Sequence, residues 1–319
     1  MILAIDFGGT RSRVGWYDAD LQLIVRAEAP SQTHEPPLAV IARLIALARS
    51  VVPDGTTPAA IGLSAPGPQA YTGLILHANT LPGWDRVPLA AEISAALGAP
   101  VYTENDANLA ALAEYHVGAG QGADPMLYLT ISTGIGGGAV LGGKLFTGWR
   151  GLAIEPGHVK FPAPDGRVYS LEALASGTAL GRLARERLAA DESPSVLRSL
   201  PPERVDGQAV GEAAAGGDAL ANAVVAASGR WLGLGLVALT HLFNPQAIVL
   251  GGSVTRLGDL LLTPARAALT ELLIDPAFNA PDLVRVSTLG DDGPLLGAAQ
   301  YARDAALNPR PLLPSGEGE

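Results

Sequence analysis

The sequence predicts an α/β protein built from two similar domains. Strand-like and helix-like segments alternate along most of the chain, which is the pattern of a sheet flanked by helices. At 319 residues the chain is longer than one hydrophobic core usually supports, so two domains are expected. A buried strand that leads into a glycine-rich turn occurs at residues 3–10 and again at residues 129–136. This echo indicates a duplicated domain.

Each element has a local reason. Strands are predicted where short apolar runs are bounded by glycine, proline or polar residues, at residues 2–7, 14–17, 23–27, 60–64, 99–102, 126–132, 139–141, 247–250 and 283–286. Helices are predicted from helical spacing and their start and stop residues, at residues 38–51, 88–97, 109–115, 171–190, 218–243 and 294–302. Three glycines interrupt the pattern of 218–243, and Asn244 with Pro245 ends it. Residues 191–206 are expected to form a surface connection and residues 308–319 a loose tail.

Composition excludes several classes of protein. Hydrophobic residues make up 48% of the chain and charged residues 16%, which suits large cores and not a disordered chain. The formal net charge is -10 and no run of Lys or Arg stands out, so no nucleic-acid partner is expected. The absence of cysteine excludes disulfides, thiolate zinc sites and cysteine nucleophiles. Phosphate ligands remain open, because glycine-rich backbone N–H groups and Mg²⁺ bind them.

The sequence predicts neither export nor a membrane partner. The first residues lack the basic region of a signal peptide. Apolar tracts such as residues 231–239 are short and broken by glycine, so no membrane span is expected. We therefore expect a soluble, cytoplasmic protein.

Asp106 lies at a predicted corner between a strand and a helix, where a rigid scaffold presents side chains to a ligand. Its carboxylate can accept a proton from a substrate hydroxyl. It can equally cap the helix by accepting a hydrogen bond from a free backbone N–H. Taken alone, the position favours the cap, because such caps are common, and only the other motifs shift the balance toward catalysis.

Two glycine-rich turns are candidates for binding phosphate. In the first, Gly8 and Gly9 allow close approach of backbone N–H groups, Thr10 adds a hydroxyl, and Asp6 can hold Mg²⁺ directly or through water. A plain hairpin turn explains the glycines but not the aspartate. In the second turn, residues 133–138, the glycines lead into a strand and not a helix, which excludes the dinucleotide fingerprint. No Walker A pattern is present.

Two further segments carry candidate binding groups. Gly251 and Gly252 follow a buried strand and are equally consistent with a nucleotide site and with a simple turn. Glu155, His158 and Glu172 offer carboxylate and imidazole groups that suit sugar hydroxyls, each of which donates and accepts hydrogen bonds. For Glu172 the alternative is a favourable charge at a helix N-terminus. For His158 alone, a hydrogen-bonded loop residue is the simpler interpretation.

Together these segments resemble the ROK family (repressors, open reading frames and sugar kinases) of actin-like, sugar-kinase-type ATPases. The resemblance extends from Leu3 to about Ala302 and rests on ordered motifs, at residues 6–10, 64–67, 79–84, 104–108, 132–138, 155–158, 171–177 and 251–252. It implies two actin-like lobes of the ribonuclease H type around a cleft, each with a mixed sheet flanked by helices. The implied lobes are residues 1–117 with 293–307 and residues 118–292, the second carrying the second phosphate loop and the adenosine side.

The resemblance also implies roles for individual residues, with Asp106 matching the catalytic base. The implied sugar ligands are Gly67, Asn79, Asn105, Asp106, Glu155, His158 and Glu172. The implied site for ATP and Mg²⁺ comprises Asp6, Gly8, Gly9, Thr10, Arg11, Thr133, Gly134, Gly251 and Gly252. Within that set, Asp6 is the residue expected to hold the metal.

One interval departs from the family pattern. Family members usually carry a cysteine-rich zinc motif between the Gly-His pair and the glutamate of the later helix. Residues 159–171 are shorter and contain no cysteine, so no structural zinc is expected. Something else must then position His158, and packing by Phe161 and Tyr169 is the candidate.

The activity that the resemblance implies is ATP-dependent phosphorylation of a hexose, first of all glucose at its 6-hydroxyl. Mannose, fructose, N-acetylglucosamine and N-acetylmannosamine are alternative acceptors, polyphosphate is an alternative donor, and a non-catalytic sugar-binding protein is an alternative function. A sugar-responsive repressor is not expected, because only five residues precede Asp6 and leave no room for a helix-turn-helix domain. The resemblance further implies a homo-oligomer, either a dimer or a tetramer.

Overall fold

The computed structural model describes residues 1–66, 74–77, 81 and 83–307 of the chain. Two of the residues predicted to bind sugar, Gly67 and Asn79, lie outside the described residues, as does the predicted tail at 308–319. The helices are α1 (Pro37–Arg49), α2 (Leu89–Leu97), α3 (Asp106–Val117), α4 (Leu171–Ala175), α5 (Gly177–Ala190), α6 (Gly207–Ala215), α7 (Ala219–Phe243), α8 (Asp259–Leu272) and α9 (Gly293–Leu307).

Fourteen strands are found in the part of the chain that is described. They are β1 (Ile2–Phe7), β2 (Arg11–Tyr17), β3 (Leu23–Pro30), β4 (Ala60–Ser64), β5 (Ile75–His77), β6 (Asp85–Val87), β7 (Val101–Glu104), β8 (Met126–Ile131), β9 (Ile135–Leu141), β10 (Lys144–Leu145), β11 (Lys160–Pro162), β12 (Val168–Ser170), β13 (Ala247–Gly251) and β14 (Val284–Val286). Backbone contacts divide the chain into two compact units, residues 1–113 with the segment that begins at Asp292, and residues 114–291. The domain boundaries drawn from the sequence stay a prediction.

Each unit contains a five-stranded mixed sheet, and the two sheets have the same strand arrangement. The first has the order β3-β2-β1-β4-β7, and the second has the order β10-β9-β8-β13-β14. In both, three strands form an antiparallel meander, and two later strands run parallel to the first strand of that meander. The α/β class and the mixed sheets flanked by helices are therefore confirmed. The duplication inferred from a short sequence echo reappears as a repeated topology.

The first sheet is covered by helices on both faces. Leu3 and Ile5 pack with residues of α1 and α2, whereas Ile2 and Ala4 pack with residues of α9. This alternation explains why β1 is apolar at nearly every position, because a strand between two helical layers buries both of its faces. At Gly62 on β4, a Cβ atom would lie 1.9 Å from the Ala298 carbonyl oxygen. The backbone of α9 therefore rests directly on the sheet.

Helix α7 forms the centre of the second unit and is continuous, as the single helix predicted over residues 218–243 requires. Gly229 and Gly233 face α8, where a Cβ atom on either would lie 2.5 Å from a backbone oxygen of Leu261 or Ala265. These glycines serve close helix packing and do not break the helix. The sequence analysis predicted that no apolar segment is long enough to span a membrane, and in length that prediction was wrong. Among the described residues, this 25-residue helix alone is long and apolar enough, although 56% of its most apolar window is buried inside the protein.

The predicted helix at residues 171–190 is in fact two helices, α4 and α5, separated at Ser176. The backbone of Ser176 is extended, with φ -79° and ψ 169°, and its hydroxyl accepts a hydrogen bond from the N–H of Ala179. Ser176 thus ends one helix and caps the next, because a serine side chain competes with the helical backbone for hydrogen bonds. The break matters for the site, since it aims the start of α5 at the second glycine turn.

Candidate functional site

The carboxyl ends of three parallel strands meet at one edge of the first sheet. Asp6 is on β1, Ser64 ends the neighbouring β4, and Glu104 ends β7, directly before the segment with Asn105 and Asp106. Carboxyl ends of parallel strands are where open α/β sheets place their ligands. The fold therefore brings the predicted metal residue and the predicted catalytic residue to the same edge.

Asp6 is a buried carboxyl, 5% exposed, at this edge. Arg13 Nη1 lies 3.2 Å from Asp6 Oδ2 in an ion pair on the neighbouring strand. Burial raises the pKa of Asp6 from 3.8 to about 6, and the nearby charge of Asp106 adds to the rise, while Ser64 and Arg13 oppose it. The carboxylate is thus only partly compensated by the protein, which is the condition in which a bound cation stabilises it further.

Asp106 is the first residue of α3, and its side chain reaches solvent. Loss of hydration nevertheless raises its pKa above the ordinary 3.8, while its hydrogen bond from the Ala107 N–H, at 2.8 Å, pulls the pKa down. Solvent contact moderates the rise that full burial would give. An accessible carboxyl with a raised pKa is a suitable proton acceptor.

The helix cap proposed as an alternative role for Asp106 is made by its neighbour. Asn105 Oδ1 accepts a hydrogen bond from the N–H of Asn108 at 2.7 Å, and the Asn105 carbonyl accepts one from Leu109 at 3.0 Å. This is the geometry of an N-cap. Asp106 is therefore not the cap of α3. Because the oxygen of the Asn105 side chain is used in capping, its amide nitrogen is the atom left to donate to a ligand.

Glu104 and Asn108 support this corner, and sequence reasoning assigned neither a role. Glu104 Oε1 accepts hydrogen bonds from the Asn105 N–H at 2.9 Å and from Asn108 Nδ2 at 3.1 Å. Asn108 is completely buried. The sequence did carry a signal for Asn108, because its amide stands among alanine and leucine residues of a predicted helix. A polar group on such an apolar face needs a specific hydrogen-bond partner.

The first glycine turn, residues 8–10, joins β1 to β2 and is a hairpin turn, closed by the Gly8 N–H on the Arg11 carbonyl at 3.2 Å. Its outer side is supported by Thr33, whose hydroxyl donates to the Gly9 carbonyl at 3.0 Å. A Cβ atom on Gly9 would meet no atom of the described residues within 4 Å, so those residues do not explain this glycine. An open backbone suits close approach by a ligand. The Arg11 side chain pairs with Glu28 at 2.9 Å, and its predicted role in binding the nucleotide stays a prediction.

The second glycine turn follows β8 and is held by the first residues of α5. The Gly177 N–H donates to the Ser132 carbonyl at 2.7 Å, and the Thr178 hydroxyl donates to the Thr133 carbonyl at 2.8 Å. Ser132 Oγ also accepts the N–H of Ser253 at 3.1 Å, which joins this turn to the one after β13. These supports come from residues more than 40 positions away, beyond the reach of local pattern.

Gly251 and Gly252 have packing reasons to be glycine. A Cβ atom on Gly251 would lie 2.3 Å from the Tyr128 hydroxyl. Gly252 has φ +88°, and its Cβ would lie 2.4 Å from the Ile131 carbonyl oxygen. The turn is therefore required by the fold, and a role in binding adenosine stays a prediction.

The three predicted sugar residues of the second unit lie near the second glycine turn. Glu155 directly precedes a 3₁₀ turn, Pro156–His158, and His158 ends it; both side chains are exposed. This turn packs on the start of β9, because a Cβ atom on Gly157 would lie 2.1 Å from the Ile135 carbonyl. Glu172 lies in the first turn of α4, where its Oε2 accepts the N–H of Ile135 at 2.9 Å. Acidic and imidazole groups are thus grouped beside the turn.

Residues 159–171, where family members usually carry a zinc motif, form a short hairpin here. Strands β11 and β12 pair antiparallel, and the Leu171 N–H donates to the Val159 carbonyl at 2.9 Å to close the hairpin base. Phe161 packs against the core of the second unit, with its ring 6.2 Å from that of Trp231. Tyr169 donates to Asp165 at 2.7 Å. The hairpin base lies directly between His158 and Glu172, so the hairpin fixes their spacing without metal ligands.

The side chains at the carboxyl edge of the first sheet fit Mg²⁺ that is bound together with a nucleotide. Mg²⁺ is typically held by one or two carboxylates together with substrate phosphates and water. Asp6 supplies one such carboxylate, incompletely neutralised by Arg13. Within the described ranges, no group of three or more His, Asp or Glu side chains could hold a metal ion by itself.

Comparisons with known proteins agree with this architecture. The ROK family model matches residues 2–305. The glucokinase of Thermotoga maritima is 32% identical, over 95% of this chain and 97% of that protein. The N-acetylmannosamine kinase of Shigella flexneri is also 32% identical, over 96% of this chain and 99% of that protein. Among solved structures, the ROK glucokinase of Streptomyces griseus in complex with glucose and AMPPNP has 32% identity and a TM-score of 0.79, covering 95% of this chain and 99% of that one.

The repeated five-stranded sheets, each with a glycine turn after its first strand, define an actin-like α/β protein of the sugar-kinase type. The chain belongs to the ROK family. The family resemblance drawn from the ordered sequence motifs is thereby confirmed. The roles of the individual site residues stay predictions.

Proposed function

We propose that the protein is an ATP-dependent hexose kinase that transfers the γ-phosphoryl group of ATP to the 6-hydroxyl of glucose. The observation that carries the proposal is Asp106, an accessible carboxyl with a raised pKa at the same sheet edge as Asp6. The similarity to glucokinases over nearly the whole chain supports the same reaction. The alternative of a non-catalytic sugar-binding protein has no comparable support, since the chain keeps both glycine turns and the carboxyl groups of Asp6 and Asp106.

In the proposed reaction, Asp106 orients the acceptor hydroxyl and takes its proton as the new O–P bond forms. Asn105 donates its amide N–H to the sugar, and Glu155, His158 and Glu172 bind other hydroxyls. The two glycine turns hold the phosphates through backbone N–H groups. Mg²⁺, when bound at Asp6, supplies neutralisation of the phosphate charge. Catalysis of phosphoryl transfer rests mainly on such positioning and electrostatics.

The identity of the sugar is the finer part of the proposal. The glucokinase and the N-acetylmannosamine kinase are both 32% identical to this chain, so overall identity does not separate their substrates. Four glucokinases among the curated relatives cover at least 92% of the chain, which favours glucose. ATP is favoured over polyphosphate by the AMPPNP complex of the Streptomyces griseus enzyme.

The test is ADP release by the purified protein with Mg-ATP across glucose, mannose, fructose, N-acetylglucosamine and N-acetylmannosamine. We expect turnover that depends on the sugar and has its highest kcat/KM with glucose. A higher kcat/KM with an N-acetyl sugar would correct the substrate. Saturable sugar binding without formation of sugar phosphate, with either ATP or polyphosphate as donor, would show a binding protein and overturn the kinase.

Phe161 offers a test of how the sugar residues are positioned. Phe161→Ala is expected to raise the KM for glucose roughly three- to tenfold, about 1 kcal/mol, because the hairpin loses its anchor on Trp231. The KM for ATP should change much less. Phe161→Leu, which keeps an apolar anchor, is the matched control and should stay near wild type. A zinc-selective chelator should leave the wild-type rate unchanged, and an equal rise in both KM values would contradict the positioning role.

Family membership also supports two finer proposals. One is that the protein is a homo-oligomer, a dimer or a tetramer, which light scattering of the purified protein would measure. The other is that it acts in the cytoplasm, where ATP and free hexose are both present.

A further inference from the structure

Four hydrogen bonds join the segment 172–178 to the second glycine turn. Glu172 Oε2 accepts the N–H of Ile135 at 2.9 Å, and the Gly177 N–H donates to the Ser132 carbonyl at 2.7 Å. Both the hydroxyl and the N–H of Thr178 donate to the Thr133 carbonyl, at 2.8 and 3.4 Å. The glycine turn therefore cannot move independently of this segment. Glu172, at one end of the segment, is also a predicted sugar ligand.

The contact between Glu172 and the turn is close enough to dictate a residue type. A Cβ atom on Gly134 would lie 2.4 Å from Glu172 Oε2 and 3.2 Å from its Cδ. Such a distance is shorter than van der Waals contact, so any side chain at 134 would displace the carboxylate or the turn. The glutamate lies directly on the backbone of the turn, and the two shapes depend on each other.

The two oxygens of the Glu172 carboxylate are used differently. Oε2 is engaged by the Ile135 N–H, whereas Oε1 makes no hydrogen bond with any residue in the part of the chain that is described. Oε1 is thus the atom that can accept a sugar hydroxyl. A hydroxyl bound there fixes the side-chain torsions of Glu172, and with them the position of Oε2 on the turn.

We propose that Glu172 couples hexose binding to the second glycine turn, so that bound hexose raises the affinity for nucleotide. The proposal rests on the proposed function, since it requires a hexose and a nucleotide as ligands. Glu172 acts on the nucleotide as a positioning residue, through the Ile135 N–H. Because coupling between two ligands is reciprocal, nucleotide must raise hexose affinity by the same factor.

The experiment is calorimetric binding of Mg-AMPPNP to the wild type, Glu172→Ala and Glu172→Gln, each with and without saturating glucose. In the wild type, glucose should lower the Kd of AMPPNP by at least about fivefold, at the low end of typical couplings. In Glu172→Ala this ratio should fall close to one. Glu172→Gln keeps an oxygen for the Ile135 N–H and should restore part of the ratio. A wild-type ratio in Glu172→Ala would overturn the proposal.

Gly134→Ala tests the contact from the other side without removing a functional group. The added Cβ should displace Glu172, so glucose affinity should fall at least about fivefold even with no nucleotide present. Gly216→Ala, at the end of α6 with its nearest neighbours at 3.4 Å, is the matched glycine control. Unchanged glucose affinity in Gly134→Ala would overturn the proposal. This variant also decides the case if Glu172→Ala fails to fold.

The two proposals fail in different ways. Absence of sugar-dependent ADP release in the wild type would remove the proposed function, and the coupling with it. Sugar-dependent ADP release, combined with an AMPPNP affinity that ignores glucose, would leave the kinase standing and remove only the coupling.

Discussion

Replacing Asp106 with asparagine is expected to lower kcat for hexose phosphorylation by about 10²- to 10⁴-fold, the usual contribution of a positioned proton acceptor. Asparagine keeps the size and hydrogen-bonding capacity of the side chain but cannot take the proton of the hydroxyl. Sugar binding should change little, because Asn105 and the corner formed with Glu104 remain. The measurements are steady-state ADP release and calorimetric glucose binding for the variant and the wild type.

Asp54→Asn is the control for this variant, since Asp54 is exposed in a turn and is not among the predicted site residues. Turnover within a fewfold of wild type in Asp106→Asn would contradict the catalytic assignment.

The rate of the wild-type protein should fall at low pH, because both Asp6 and Asp106 must be ionised and both pKa values are raised. The apparent pKa of that fall belongs to the pair of carboxyls, which interact.

Asp6→Asn is expected to stabilise the protein at high pH while abolishing its ATP-dependent activity. A rise in pKa from 3.8 to about 6 means that the folded state holds the neutral carboxyl in preference to the charged one. The charge therefore lowers the free energy of unfolding progressively between about pH 4 and pH 6, and fully above that range. The rise corresponds to roughly 3 kcal/mol. Asparagine does not lower the free energy of unfolding in this way, since it stays neutral at every pH.

Urea unfolding without nucleotide or Mg²⁺, at pH 4 and at pH 8, measures the effect. The difference in free energy of unfolding between Asp6→Asn and wild type should be about 2 kcal/mol more favourable to the variant at pH 8 than at pH 4, where part of the cost is already present. Asp54→Asn, which removes an exposed carboxyl, is the control. An equal difference at both pH values would mean that the charge of Asp6 is not the cause.

The strands and most helices follow from the sequence because their causes are local. β1, β4 and β13 are apolar at nearly every position since they are buried on both faces, and this pattern is visible in sequence. The helix over residues 218–243 was predicted as one element, and contact with α8 accounts for Gly229 and Gly233 within it. The error at residues 171–190 arose where tertiary packing overrode local preference. Ser176 looked like a helix residue, yet it caps α5 beside the second glycine turn.

The candidate site was predictable in its residue types but not in its contacts. Asp6 stands out because a plain hairpin turn does not explain an acidic residue at a strand end. For Asp106, the other motifs were needed before catalysis was favoured over a helix cap. The cap on α3 was assigned one residue too late, because helix boundaries depend on which side chain finds the free N–H. The contact of Glu172 with Ile135 joins residues 37 positions apart and has no local signal.

The position of α9 has a consequence for biosynthesis. The second unit is one continuous stretch of chain. The first unit is completed only by helix α9, which follows the second unit in the sequence. Helix α9 covers one face of β1 and β4, with its backbone seated on Gly62. On the ribosome, that face therefore stays uncovered until more than 290 residues have been translated. The nascent first unit is exposed to aggregation and to chaperones throughout synthesis of the second, and a circular permutant that moves α9 ahead of β1 would remove this interval.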